Sequence, residues 1–441
     1  MLYPITDILR GTRIVSKYNF LLKSQWWDKE KLEKYQNNKL RILIHHSYEN
    51  VEYYKRIFKD NNLEPNDIKN KEDLLKIPPL KKENLREYGF SQLLATNIPE
   101  KRRILGRTGG STGEPLQYYR DKNSKSWSVG ATYRCNSWVG LRIAERRIQL
   151  SGGSLGGFLT SKSKLMQKME QFLTGIIIIP TFELSNENLN NYVKLMNRKK
   201  KVSFLRGYPS ALFILAKHIN KTESFKRKLN GVMTTAEKLY DFQTVEIERA
   251  FNCKVFDQYG CGEINSIASQ CDQARLYHIF DEHVIVEHDK SSSNNIARIT
   301  DLDNFVSPLI RYENGDMLSF SQEKCTCGRE LSTLEKIDGR THDYIKTIDG
   351  NLIAGEFFPH LFQKIIGIDQ YQIIQEKIDF IKVIVKPNPK YSEEEMNNYI
   401  KKIQEYCGGK GVEIELTKVS DFPQNKSGKR IFIKSYVPLD I

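Results

Sequence analysis

The chain has 441 residues and a formal net charge of +14, with 39% hydrophobic and 11% aromatic residues. That length exceeds what one hydrophobic core supports, since cores stop growing near about 250–300 residues, so two domains are expected and the apolar content excludes wholesale disorder. No apolar run approaches the roughly 20 residues of a membrane-spanning helix, and Met1 to Lys17 carries no long apolar block, so a cytoplasmic setting is expected.

Residues 1–100 read as a mainly helical lead-in. Apolar positions recur at three and four between Leu32 and Ile57, and Ile77-Pro78-Pro79-Leu80 breaks the pattern. Trp26, Trp27, Tyr53 and Tyr54 are expected to pack this region down. From Arg103 short apolar runs alternate with turns and helical stretches. Arg147 to Leu150 precedes Ser151-Gly152-Gly153, Gly175 to Ile179 precedes Pro180, and Val202 to Leu205 precedes Arg206-Gly207-Tyr208-Pro209. Strand, turn and helix in repetition predict an α/β domain with a mainly parallel sheet. Between His283 and Phe320 the runs shorten and alternate, which predicts an attached antiparallel β region. A further break at Gly339-Arg340 precedes strands at Tyr371 to Ile374 and Phe380 to Val385. A helix follows at Ser392 to Tyr406, closed by Gly408-Gly409, then a strand at Val412 to Leu416. The expected organisation is a large N-terminal domain, 1–338, and a small C-terminal α+β domain, 339–441.

The positive charge leaves a nucleic acid, an anionic membrane surface or a polyanionic substrate as readings. The clusters at Arg198 to Lys201 and Lys226 to Lys228 are short and read as solvated faces. No nucleic-acid motif accompanies them, so no specific nucleic-acid partner is expected. A homodimer is permitted by the composition.

Seven cysteines are an odd number for a disulfide framework. Cys271 and His278, followed some fifty residues later by Cys325 and Cys327, offer three thiolates and an imidazole. That set suits a closed tetrahedral zinc shell, structural because no position remains for water; buried free thiols are the alternative. Cys135, Cys253 and Cys407 have no partner pattern.

The segment Arg107-Thr108-Gly109-Gly110-Ser111-Thr112-Gly113-Glu114-Pro115 is rich in glycines and hydroxyls. Glycine permits close backbone approach, and exposed N–H and O–H groups can wrap phosphate oxygens; a plain turn is the bland reading. Downstream come Thr235-Ala236-Glu237-Lys238, Asp257-Gln258-Tyr259-Gly260-Cys261-Gly262-Glu263, Tyr312-Glu313-Asn314-Gly315-Asp316, Gly339-Arg340-Thr341-His342-Asp343, and Lys426-Ser427-Gly428-Lys429. This succession, in this order across nearly the whole chain, resembles the adenylate-forming enzymes. Tyr53-Tyr54, Ile77 to Lys81 and Gly207-Tyr208-Pro209-Ser210 resemble the phenylacetate-coenzyme A ligase branch and its capsular-polysaccharide-biosynthesis relatives. Glu114, Gly262 and His342 depart from the common pattern.

The resemblance implies a fold and a reaction. The fold is a large α/β adenylate-forming domain followed by a small domain that rotates about a hinge at Gly339 to Asp343. ATP would activate a small carboxylic acid as an acyl-adenylate, and the acyl group would pass to coenzyme A. An amine acceptor, or a non-catalytic zinc-containing nucleotide-binding role, are the alternatives. Thr108, Gly109, Gly110, Ser111, Thr112 and Gly113 would cradle phosphates, with Ala236 and Glu237 beside adenine. Tyr259, following into Gly260, would stack on adenine, Glu263 would hold Mg²⁺ and Asp316 would accept from the ribose hydroxyls. Arg340 would lie near ribose and phosphate, and Lys429 would be the catalytic lysine. The acid would be bound near Tyr208 and the Ser151 to Gly157 turn. No nucleophilic role for Cys261 is implied.

Overall fold

The structure is a computed structural model, and it describes residues 3–81, 84–85, 89–107, 117–151, 171–180, 186–287, 296–337, 345–353, 357–362, 365–420 and 433–437. Contacts divide the chain into two compact units. One is built from Met1–Arg107, Gln117–Glu145 and Phe256–Arg340, the other from Thr108–Leu116, Arg146–Val255 and Thr341–Ile441. The expected domain boundary at 338/339 and the hinge from Gly339 to Asp343 lie outside the described residues.

In the first unit four helices lead the chain: α1 (Tyr3–Leu9), α2 (Ile14–Ser24), α3 (Lys29–Asn50) and α4 (Glu52–Asp60). Helix α3 begins where the Asp28 carboxylate accepts from the Lys31 N–H at 2.8 Å, satisfying one of the orphan donors of its first turn. Leu32, Gln36, Leu40, Leu43, Ile44 and Ser47 then recur every three or four positions as its buried face. The lead-in is therefore helical as far as Asp60. Of its aromatics, Tyr53 and Tyr54 are buried, but Trp26 is 55% exposed. Trp26 sits just beyond the end of α2, where the chain turns, and the Arg329 guanidinium lies 5.1 Å over its ring instead of an apolar core.

The lead-in is anchored by polar groups as well as apolar ones. The Tyr54 hydroxyl donates to the Pro308 carbonyl and accepts from the Ile310 N–H, both at 3.0 Å. Arg134 and Glu282 form a fully buried ion pair at 3.0 Å, and the Ser24 hydroxyl donates to the same carboxylate at 2.6 Å. Removing one partner of such a pair typically costs about 3–5 kcal/mol, because it strands a buried charge.

The strands of this unit are β1 (Leu80–Lys81), β2 (Ile104–Arg107) and β3 (Gln117–Arg120), the last two a short antiparallel pair with Arg107 opposite Gln117. Its main sheet comes from farther along the chain. To keep the numbering in chain order, the second unit contributes β4 (Arg147–Ser151), β5 (Ile176–Pro180), β6 (Phe204–Gly207) and β7 (Gly231–Thr235). The first unit resumes with β8 (Val255–Tyr259), β9 (Ala268–Gln270), β10 (Tyr277–Ile279), β11 (Val284–Glu287), β12 (Ile296–Asp301), β13 (Tyr312–Phe320) and β14 (Thr333–Ile337). These run β11-β12-β13-β14-β10-β9-β8, every neighbour antiparallel, with β1 added parallel to β13. The antiparallel region expected from His283 onward is thus present and reaches back to β8.

In the second unit β7-β6-β4-β5 is wholly parallel, as the strand–turn–helix repetition predicts. The helices Asn186–Arg198, Pro209–Thr222 and Asp241–Phe251 supply Leu189, Val193, Met196, Leu212, Leu215, Ile219, Ile247 and Phe251 to a core with Ile148, Leu150, Leu205 and Val232. Tyr208, expected near the acyl group, is buried in this core at the start of the helix Pro209–Thr222.

The C-terminal part carries a small hairpin, β15 (Ile345–Lys346) with β16 (Leu352–Ile353), and a four-stranded sheet. That sheet comprises β17 (Ile368–Lys377), β18 (Phe380–Pro387), β19 (Glu413–Lys418) and β20 (Ile433–Ser435), ordered β19-β18-β17-β20. Ile381, Val383 and Val385 alternate inward along β18 and pack against Met396, Ile403 and Cys407 of the helix Glu393–Cys407. The Ser392 hydroxyl caps that helix on the Glu395 N–H at 3.3 Å, and Gly408 at φ 133 ends it. The fold is α/β, with a parallel sheet, an antiparallel β region and a C-terminal α+β part.

Candidate functional site

Two of the expected motifs meet within the first unit, at the ends of β8 and β13. After Tyr259 the chain turns so tightly at Gly260 that a Cβ there would lie 1.4 Å from the Asn265 carbonyl oxygen. Only glycine fits. The Asn265 N–H donates to the Cys261 carbonyl at 2.6 Å, and Asn265 adopts φ 79, so the turn is closed by its own backbone. This closure holds Glu263 in a buried position, where it accepts from the Tyr312 hydroxyl at 2.6 Å.

On β13, Tyr312 and Asn314 are two residues apart and share a face. Gly315 then takes φ 84, and the pairing of β12 with β13 shifts register between Ile296 and Arg298. The kink folds Asp316 back over Asn314. The Asn314 amide donates to Asp316 Oδ2 at 2.7 Å and to the Tyr259 hydroxyl at 3.0 Å, and Asn314 Oδ1 accepts from the Asp316 N–H at 3.0 Å. The Tyr259 hydroxyl donates to Asp316 Oδ2 at 3.1 Å. Burial, and then the Asp316 carboxylate, push the Tyr259 phenol well above its ordinary range, so it stays a proton donor.

The structure thus brings Tyr259, Gly260, Glu263 and Asp316 together. The tyrosine expected beside adenine holds the aspartate expected beside ribose. Sequence reasoning assigned no role to Tyr312 and Asn314. Their signal was the two-residue spacing that places both on one face of the strand that carries Asp316.

In the second unit Ala236 follows β7 with φ 71, a conformation that costs a non-glycine residue strain, and Glu237 comes next; they form the expected turn after a core strand. Thr108, Gly109, Gly110, Ser111, Thr112, Gly113, Glu114, Gly152 to Gly157, Arg340, His342 and Lys429 lie outside the described residues.

The cysteine–histidine set is also brought together. Cys271 lies just past β9, His278 is in β10, and Cys325 and Cys327 are in the loop between β13 and β14. The four donor atoms lie within 4.8 Å of one another. Cys271 Sγ is 3.5 Å from Cys325 Sγ, and His278 Nε2 is 3.2 Å from Cys327 Sγ. A zinc tetrahedron with bonds of about 2.3 Å to sulfur and about 2.0 Å to nitrogen sets such edges at about 3.5–3.8 Å, so this donor set fits with small adjustments. The Gln273 and Arg329 N–H groups each donate to a sulfur of this set at 3.4 Å, to Cys271 and Cys327 respectively. Burial, and then the Arg329 guanidinium, push the His278 imidazole down to about 4, which leaves it neutral with a lone pair to give.

A second group, His283, Asp301 and Asp303, is buried and compact. There His283 Nδ1 lies 2.7 Å from Asp303, and the Lys39 ammonium stands 2.7 Å from the same residue's other oxygen. Lysine already supplies the cation, so this group pins α3 to the β region and is not a metal site.

Residues 345–436 match the family described as the CapK C-terminal domain. Protein CapK of Staphylococcus aureus is 23% identical over 406 residues, covering 90% of this chain and 88% of its own. A phenylacetate-coenzyme A ligase of Thermus thermophilus is 25% identical over 338 residues, 72% of each chain. The chain is a homologue of these proteins. The expected resemblance is borne out. A crystal structure of 2-hydroxyisobutyryl-CoA ligase, in complex with 2-HIB-AMP and CoA, superposes with a TM-score of 0.61 at 17% identity, over 94% of this chain and 93% of that one. At that identity the likeness is one of fold, which is the adenylate-forming fold. Among the described residues no helix is long and apolar enough to cross a membrane.

Proposed function

We propose that the chain activates a carboxylic acid with ATP to an acyl-adenylate and passes the acyl group to coenzyme A. The observation that carries this reading is the hydrogen-bonded array Tyr259–Asn314–Asp316 with Tyr312–Glu263, which sets two carboxylates of separate motifs in fixed positions. Similarity to phenylacetate-coenzyme A ligases over 72% of the chain supports it.

A carboxylate oxygen of the acid bonds to the α-phosphorus, the bond to the bridging oxygen breaks, and pyrophosphate leaves. Glu263, a hard oxygen donor, would hold Mg²⁺, whose charge offsets that of the phosphates. Asp316 would accept from the ribose hydroxyls, with Ala236 and Glu237 at the adenine. Thr108 to Gly113 would donate to phosphate oxygens, Arg340 would add positive charge, and Lys429 would bridge the carboxylate and the α-phosphate. The coenzyme A thiol then attacks the acyl carbon and AMP leaves, after the rotation of the 339–441 domain that the resemblance implies. Cys271, His278, Cys325 and Cys327 would hold a structural zinc ion.

A second reading, transfer to an amine, rests on the 23% identity with CapK over 90% of the chain. Acid-dependent AMP formation, measured with coenzyme A and with amino sugars or amino acids in turn, separates the two. Stimulation by coenzyme A alone supports the first reading; stimulation only by an amine replaces it with the second.

A further inference from the structure

Helix α1 is inside out. Its apolar residues Ile5, Ile8 and Leu9 fall at i, i+3 and i+4, the stripe that a surface helix normally turns toward the core. Here they face solvent, at 56%, 75% and 80% exposure. The buried side is instead Tyr3 and Asp7, one turn apart. The Asp7 carboxylate accepts from the Thr12 hydroxyl at 2.5 Å and from the Val15 N–H at 2.9 Å, and the Tyr3 ring meets Tyr133 edge-on at 5.8 Å. A buried, doubly bonded aspartate fixes the rotation of the helix, so the outward apolar stripe follows from how α1 is anchored. Single exposed apolar residues are ordinary, but three on one face of one short helix form a patch.

Along the segment that carries the patch, the exposed charge has one sign. Between Tyr3 and Trp27 the only acid is Asp7, which is buried, while Arg10, Arg13 and Lys23 are exposed and Lys17 half-exposed. The Lys122 ammonium reaches the turn that follows α1, 2.9 Å from where a Cβ on Gly11 would stand. An apolar stripe on a segment whose exposed charges are all cations matches an anionic lipid surface, where side chains enter the acyl boundary and cations meet headgroup phosphates. A second copy of the chain would bring the same cations against themselves. We infer that α1, with Arg10, Arg13 and Lys122, is a docking surface for an anionic membrane, holding this protein at the bilayer without spanning it.

The test is co-sedimentation of the full chain with vesicles of phosphatidylcholine alone, or with about one third phosphatidylglycerol, at low and at physiological salt. Binding is expected to the anionic vesicles and to weaken as salt rises. Neutralising two cations together, Arg10→Gln with Arg13→Gln, should weaken it by about 30-fold, at roughly fivefold per cation. The triple change Ile5→Ser, Ile8→Ser, Leu9→Ser should weaken it by about tenfold or more, and it leaves the Tyr3 and Asp7 anchors intact. Should that variant misfold, Ile8→Trp keeps the stripe apolar, and its added fluorescence should shift to shorter wavelength on anionic vesicles. Failure of the parent chain to sediment at low salt would overturn the inference, as would a triple variant that binds as tightly as the parent. Ultracentrifugation showing a dimer that the triple change dissolves, without vesicle binding, would assign the patch to a second copy instead.

Discussion

Changing Tyr312 to phenylalanine removes one hydroxyl from the candidate site and leaves its packing in place. Tyr312 is fully buried, and its hydroxyl donates at 2.6 Å to the buried carboxylate of Glu263. Since the ring stays, no cavity opens, and the loss is that of one hydrogen bond to a charged acceptor, about 1.5–3 kcal/mol. Denaturant titration should show the free energy of unfolding falling by that amount. A second consequence follows if Glu263 holds Mg²⁺. A carboxylate deprived of the donor that orients it binds metal more weakly, typically by about 10–100-fold. Pyrophosphate release titrated with Mg²⁺ should therefore need roughly tenfold more metal in Tyr312→Phe, with little change in maximal rate at saturating Mg²⁺. An unchanged Mg²⁺ dependence in a variant destabilised as expected would remove Glu263 from the metal. If unfolding is unchanged as well, the hydrogen bond itself is refuted.

Gly260→Ala must push its Cβ out of the Asn265 carbonyl, now 1.4 Å away. It should lose about 3 kcal/mol of stability, seen as a lower unfolding midpoint, together with ATP binding; an unaltered midpoint would mean the turn relaxes freely. The purified full chain should carry about one zinc ion, and Cys327→Ser should lower both zinc content and thermal midpoint. Metal-free protein with the same midpoint as the variant would favour free thiols. Burial, with the Asp303 charge adding and His283 opposing, pushes the Asp301 carboxyl up to about 6 from 3.8. The folded chain therefore holds this proton more tightly than the unfolded one, a contribution that is full below about 3.8 and lost as pH rises through about 6. Asp301→Asn, which cannot titrate, should flatten the fall in unfolding free energy across that window by up to about 3 kcal/mol; an identical slope would contradict the assignment.

Elements whose signal is local were legible in the sequence. The helix Glu393–Cys407 announces itself by Ser392 before it and Gly408 after it, and β18 by the alternation of Ile381, Val383 and Val385. Strand β20 was not legible, because Ile433 to Ser435 is three residues long and gains its partner only through parallel pairing with Ile373 to Gln375, some sixty positions away. The same holds for β2 and β3, where nothing in Ile104 to Arg107 or Gln117 to Arg120 marks an antiparallel pair. Trp26 was misplaced because burial was inferred from residue type, whereas its position in the turn after α2 decided the outcome. At the site, the resemblance to the motifs of the adenylate-forming enzymes pointed to Tyr259, Glu263 and Asp316, which the hydrogen bonds bring into one neighbourhood. The roles of Tyr312 and Asn314 needed the kink at Gly315, a backbone feature that no pattern of side chains announces.

The most direct test of the central claim is pyrophosphate release from Mg·ATP across a panel of carboxylic acids, comparing the protein with Lys429→Ala and Glu263→Gln. The account predicts release that depends on one class of acid and collapses in both variants while ATP still binds to Lys429→Ala. Release that is independent of acid, or that survives Lys429→Ala unchanged, would contradict it.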